Sequence, residues 1–113
     1  MEIFDPEIEA YLARTALLGE PPHPVFEKMR LLGNERPFPI VGPEVGRFFL
    51  QLAAIRRPKR ILELGSGFGY SALWWAFGCR EAEIHLTEYK QENLDDADGF
   101  FRTIHVKGVI PAI

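Results

Sequence analysis

The sequence predicts an α/β fold in which N-terminal helices pack on an incomplete parallel sheet. Three observations carry that prediction. Val45, Phe48, Phe49, Leu52 and Ala53 recur at helical spacing behind Pro43. Arg60-Ile61-Leu62-Glu63-Leu64 is a short apolar strand that runs straight into Gly65-Ser66-Gly67-Phe68-Gly69 and then a helix. Glu83-Ile84-His85-Leu86-Thr87-Glu88 alternates as a second strand, so strand, glycine turn, helix and strand form a βαβ unit with a right-handed crossover.

Each element has its own justification. Asp5-Pro6-Glu7 reads as N-cap, first-turn proline and first-turn acid, with Ile8, Tyr11 and Leu12 on one face and Gly19 as the stop. Pro21-Pro22-His23-Pro24 is a stiff connector, and a short helix from about Val25 to Leu32 buries Phe26 and Met29 before Gly33-Asn34 ends it. The stretch Pro37 to Gly42 is extended because two prolines forbid helix there. Arg56-Arg57-Pro58-Lys59 closes the helix behind Pro43 as an exposed basic turn. Tyr70 to Phe77 is apolar almost all round and reads as a buried helix closed by Gly78. Lys90 to about Arg102 is the last helix, with Leu94, Ala97 and Phe101 on one side and the weak helix formers Asp98-Gly99 inside it. Beyond it, Val106 to Ile113 offers a further strand that Gly108 and Pro111 make unsuited to the centre of a sheet.

The 113 residues suffice for one domain and are too few for two. A hydrophobic fraction of 47% with 26% charged residues is an ordinary globular balance. The net charge of −3, without a basic stripe, argues against a nucleic-acid partner. No apolar run reaches the roughly 20 residues of a membrane span, and Met1-Glu2-Ile3-Phe4-Asp5 lacks a signal-peptide plan, so a cytoplasmic location is expected. Cys79, the one cysteine, reads as a small buried filler.

A parallel strand turning directly into a helix presents backbone N–H groups that suit a ligand, and glycines let it approach closely. Glu88 lies 19 residues after Gly69 at the end of the second strand, where a carboxylate can hold ribose hydroxyls. The dinucleotide fingerprint needs a third small residue that would fall on Tyr70, which is bulky. The observed spacing instead places Glu63 just before the turn. A carboxylate there repels a pyrophosphate and suits an ammonium group, which favours S-adenosylmethionine over a nicotinamide dinucleotide.

Three ordered stretches resemble the small-molecule O-methyltransferases of the catechol and caffeoyl-CoA type and their bacterial and archaeal relatives. They are Pro39 to Gly46, Ile61 to Ala72, and Leu86-Thr87-Glu88. The resemblance runs from about Asp5 to Arg102 and implies a partial Rossmann-like class I methyltransferase fold. It implies that Ile40, Val41 and Gly42 lie against the donor, that Gly65, Ser66, Gly67, Gly69 and Ser71 hold its methionine part, and that Glu88 holds the ribose. Members of that family are about twice as long, and their later strands supply the metal ligands, an adenine-side acid and the acceptor pocket. The expected organisation is one truncated domain: a helical region over 1–58, a donor-binding βαβ unit with its following helix over 59–102, and a tail over 103–113. The expected role is donor binding, with S-adenosylmethionine as cofactor, no metal ligands and no catalytic residues evident. In the full family the methyl goes to a small phenolic-type hydroxyl.

Other residues read more simply. Trp74 and Trp75 belong to a core helix. His23, His85 and His105 are scattered and structural, and Asp95, Asp96 and Asp98 form a solvated helix face. A sheet with unpaired edges and too little cover predicts a homo-oligomer or a complementing chain. Two rival readings stay open: a non-enzymatic module that pairs with another chain, and a nicotinamide-dinucleotide domain.

Overall fold

The computed structural model describes residues 5–16, 21–36, 38–104 and 109–112. Helix α1 (Pro6–Ala16) starts as the sequence requires, with the Glu7 N–H donating to Asp5 Oδ1 at 2.8 Å. Helix α1 packs on the third helix, and two residues of its expected apolar face, Ile8 and Tyr11, are both more than half exposed. The Leu12 side chain and Gly19 lie outside the described residues.

Helix α2 (Val25–Glu35) is begun by His23, whose Nδ1 accepts the Val25 N–H at 3.1 Å, and it buries Val25, Phe26 and Met29. It runs through Gly33-Asn34, where the sequence predicted a stop. The cause is tertiary: Gly33 is buried with the Ile40 and Phe68 side chains against it, so its missing side chain serves packing and not termination.

Helix α3 (Pro43–Arg56) has Gly42 in the N-cap position and Pro43 at its first turn. Its buried line is Gly46 and Ala53 with Phe49 and Leu50 partly covered, whereas Val45, Phe48 and Leu52 of the predicted stripe are exposed. Two glycines rotate the helix onto that line. A Cβ on Gly46 would fall inside 3 Å of the Trp74 indole, and one on Gly78 would strike the Leu50 carbonyl oxygen. Arg57 closes α3 in the left-handed region at φ 47°, its N–H donating to the Ala53 carbonyl at 2.8 Å.

Strand β1 (Arg60–Leu64), helix α4 (Tyr70–Gly78), strand β2 (Glu83–Thr87), helix α5 (Gln91–Thr103) and strand β3 (Val109–Ala112) complete the chain order. The sheet is parallel throughout in the order β1-β2-β3, with Leu64 opposite Thr87 and Pro111 opposite Leu86. The tail therefore does supply a strand, and it lies at the edge, where proline is tolerated. Phe26, Met29, Phe68, Leu73, Trp74, Ile84 and Leu86 are fully buried between helices and sheet. Ile84 and Leu86 face that core together with Ile61 and Glu63, their partners on β1, so the alternate residues of β1 turn the other way: Leu62 is 63% and Leu64 78% exposed. Among the described residues, that face of β1 is left uncovered.

Within α5, Leu94, Ala97 and Phe101 are buried as expected, and Gly99 is accommodated in the helix. Asp98 pairs with Arg102, and Asp95 accepts from Gln91, as a solvated face should. Asp96 is different: with Glu92 it holds Arg36, tying the end of α2 to α5. His85 pairs with Glu83 on β2, Cys79 is buried, and His105 lies outside the described residues.

Candidate functional site

The turn between β1 and α4 needs its glycines for a conformational reason first. Gly65, Gly67 and Gly69 all adopt left-handed backbone, at φ 72°, 54° and 88°. Thr87 then clamps the turn: its hydroxyl donates to the Glu63 carbonyl and accepts the Gly65 N–H, each at 2.9 Å, and its carbonyl accepts the Ser66 N–H at 2.8 Å. A Cβ on Gly65 would meet nothing within 4 Å, so the backbone there is open to a ligand. Over Gly67 lies the Phe38 ring, which also packs on Phe68 at 5.5 Å.

A cleft of about 370 Å³ opens beside this turn. Phe38, Pro39, Ile40 and Val41 form one wall, Phe49 of α3 another, and Glu63, Gly65, Ser66, Phe68, Tyr70 and Ser71 the floor. Its size is that of a small-molecule site. Of the residues expected in a site, the cleft brings together Ile40, Val41, Glu63, Gly65, Ser66 and Ser71. Gly42 caps α3, Gly67 is covered by Phe38, and Gly69 is packed against Phe101 and Ala97, so none of these three lines the cleft. Phe38, Phe49 and Tyr70 line it without having been singled out. Phe38 had a signal, an aromatic side chain fixed between two prolines.

Glu63 is the chemical centre of the cleft. Ser71, the second residue of α4, donates its hydroxyl to Glu63 Oε1, while Oε2 is buried without a hydrogen-bond partner. Burial pushes the Glu63 carboxyl above its ordinary value, and the Ser71 hydroxyl offsets only part of that. An orphaned carboxylate oxygen in a cleft is costly unless something cationic or hydrogen-bond-donating meets it.

Glu88 sits beyond the turn and outside the cleft lining. It is buried, and its Oε1 accepts the Lys90 N–H at 2.9 Å at the entrance to α5. Burial acts to raise its pKa, but the Lys90 N–H, the Asn93 amide and the N–H groups of Tyr89 and Gly67 outweigh it and hold the carboxyl below its ordinary value. Glu88 thus stands ionised between the glycine turn and α5. Among the described residues, no group of three His, Cys, Asp or Glu side chains is placed to hold a metal ion. No helix among them is long and apolar enough to cross a membrane.

Helices on one face of a parallel sheet, with an acid–glycine turn leading into a buried helix, define a partial Rossmann-like fold of the methyltransferase type. Solved structures place the chain more closely. It is similar to a methyltransferase from Geobacter sulfurreducens with a TM-score of 0.86 and 27% identity, covering 99% of this chain and 58% of that one. An SAH-bound methyltransferase from Podospora anserina matches with a TM-score of 0.76 and 25% identity over 100% of this chain and 52% of that chain. The O-methyltransferase TomG of Streptomyces achromogenes, solved in complex with SAM, shares the fold with a TM-score of 0.77 at 23% identity, covering 93% of this chain and 48% of its own. The chain therefore spans about half the length of the structures it matches. No family model matches it.

Proposed function

We propose that this chain is the donor-binding half of an S-adenosylmethionine-dependent O-methyltransferase. The observation that carries the reading is the buried, unpartnered Oε2 of Glu63 on the floor of the cleft. The donor's amino-acid end brings an ammonium group that meets this oxygen, and the open backbone at Gly65 admits the rest of that end. Val41 and Ser71 line the same space, and Glu88 waits at the end of β2 for the ribose. Bound here, the donor would supply a sulfonium methyl group, and the chain's own residues would bind and orient it. Solved structures of the same fold with SAM or SAH bound support this assignment. A phenolic acceptor and a cytoplasmic location belong to the same proposal. The metal that the resemblance implies finds no ligand set among the described residues.

Side-by-side calorimetric titration of S-adenosylhomocysteine and a nicotinamide dinucleotide decides between the two nucleoside readings. Binding of the first alone supports the proposal, and binding of the dinucleotide alone overturns it.

A second reading concerns partners. Leu62 and Leu64 stand exposed on a sheet face that a folded domain would cover, on β1, which among the described residues is an edge strand. We propose that the 113-residue chain associates through this face, with a second copy or with a chain that completes the sheet.

A further inference from the structure

Glu63 has an unusual set of neighbours for a carboxyl group. The Ser71 hydroxyl of α4 donates to it, and the cleft it shares is lined by Tyr70 of α4, Phe49 of α3, Phe38 to Val41 of the extended segment, and Gly65 and Ser66 of the turn. Its partner in register on β2 is Leu86, which is apolar and fully buried. Among the described residues, Tyr70 is the only other titratable one lining the cleft, and burial pushes its hydroxyl still higher than its ordinary 10.0. Among the described residues, no basic side chain lines the cleft. One oxygen accepts a single neutral hydroxyl and the other accepts nothing. An ionised carboxylate in such a place has lost its water and gained no counter-charge.

We propose that Glu63 is a proton-exchanging selector for the ammonium group: it stands as a neutral acid in the empty cleft and ionises when the ligand's ammonium arrives. This rests on the donor reading above and adds the coupling of that site to pH. The step balances simply. The Glu63 O–H bond breaks, its proton leaves to solvent, and the carboxylate left behind pairs with the incoming –NH3⁺, which keeps all its protons. Ser71 is a positioning residue, since its hydroxyl fixes Oε1 and leaves Oε2 for the ammonium. Burial raises the Glu63 carboxyl and so motivates the window: below its folded-state value, binding must first remove a proton. Affinity then rises about tenfold per pH unit until that value is passed, and levels off above it. The ligand's own ammonium begins to lose its proton near pH 8 or above, so the informative range lies between about 4.5 and 7.

The test is calorimetry of the full chain with S-adenosylhomocysteine in buffers of different ionisation enthalpy across that range. The expected result is release of up to one proton per ligand, diminishing as pH rises through the raised folded-state value of Glu63. 5′-Methylthioadenosine, which lacks the ammonium, should bind with no such release. Glu63→Gln keeps the shape and every histidine, and should bind S-adenosylhomocysteine weakly with the proton release gone. Ser71→Ala removes the group favouring the charged form and should move the release to higher pH. Wild-type binding with no proton release at any pH in this range overturns the coupling and leaves the donor reading intact. Release that persists in Glu63→Gln assigns the proton to another group and likewise overturns it. Absence of binding at every pH overturns the donor reading itself and the coupling with it. Should Glu63→Gln fail to fold, the wild-type buffer dependence and the 5′-methylthioadenosine comparison decide alone.

Discussion

Alanine placed at two helical glycines should change stability in opposite directions. In a helix interior, Gly→Ala ordinarily stabilises by about 0.5–1 kcal/mol through backbone entropy. Gly99 in α5 is exposed, and a Cβ there meets nothing within 4 Å, so Gly99→Ala should gain that amount. Gly46 in α3 is the opposite case. Its Cβ would fall inside 3 Å of Nε1, Cε2 and Cδ1 of Trp74, a ring with no exposure that packs on Phe26 at 4.2 Å and meets Tyr70 edge-on at 6.3 Å. The indole has nowhere to retreat, so α3 must lift from α4. Overpacking of this kind costs about 1–3 kcal/mol, and contact with a rigid ring belongs at the upper end. Net of the helical gain, Gly46→Ala should destabilise by about 2 kcal/mol, placing the two variants about 3 kcal/mol apart. Thermal unfolding at matched protein concentration should show Gly99→Ala melting about 4 °C above the wild type and Gly46→Ala about 8 °C below it. A Gly46→Ala protein at least as stable as the wild type would refute the close α3–α4 packing.

Two further outcomes follow from named side chains. Light scattering of the wild-type chain should give a mass above 12.9 kDa, and the double variant Leu62→Lys, Leu64→Lys should return it to the monomer; a wild-type monomer would remove the proposed interface. Glu88 has a folded-state pKa held below 4.5, so the stability it contributes is complete above that value and is lost as pH falls through the folded one. Glu88→Gln should therefore be less stable than wild type at pH 7 and indistinguishable from it at strongly acidic pH, as read by urea unfolding. A difference that survives unchanged at low pH would mean the carboxylate charge is not what Glu88 contributes.

The βαβ unit was legible because local pattern and tertiary role agree there. Alternation over Glu83–Thr87 and an almost wholly apolar Tyr70–Phe77 each admit one arrangement, and the glycines after Leu64 mark the turn. Where partners distant in sequence decide, the pattern misleads. Gly33 reads as a stop but is a contact surface for Ile40 and Phe68. The stripe through Val45, Phe48 and Leu52 reads as the buried side of α3, yet Gly46 and Gly78 set the contact one residue round. The candidate site was legible as a roster, not as a geometry. Glu63 and Ser71 could each be named, but their hydrogen bond joins a strand to a helix across the turn and leaves no trace in spacing. The same holds for the Thr87 clamp and for Phe38 over Gly67.

The most direct test of the central claim is to follow backbone amide resonances of the chain during titration with S-adenosylhomocysteine. The account predicts that the perturbed amides gather in Phe38–Gly42, Glu63–Ser71 and Thr87–Lys90. The basic turn Arg57–Lys59 and helix α1, none of whose described residues lines the cleft, should stay unmoved. Saturating ligand that leaves Gly65 to Ser71 unperturbed, or that acts only on the open sheet face around Leu62 and Leu64, would contradict it.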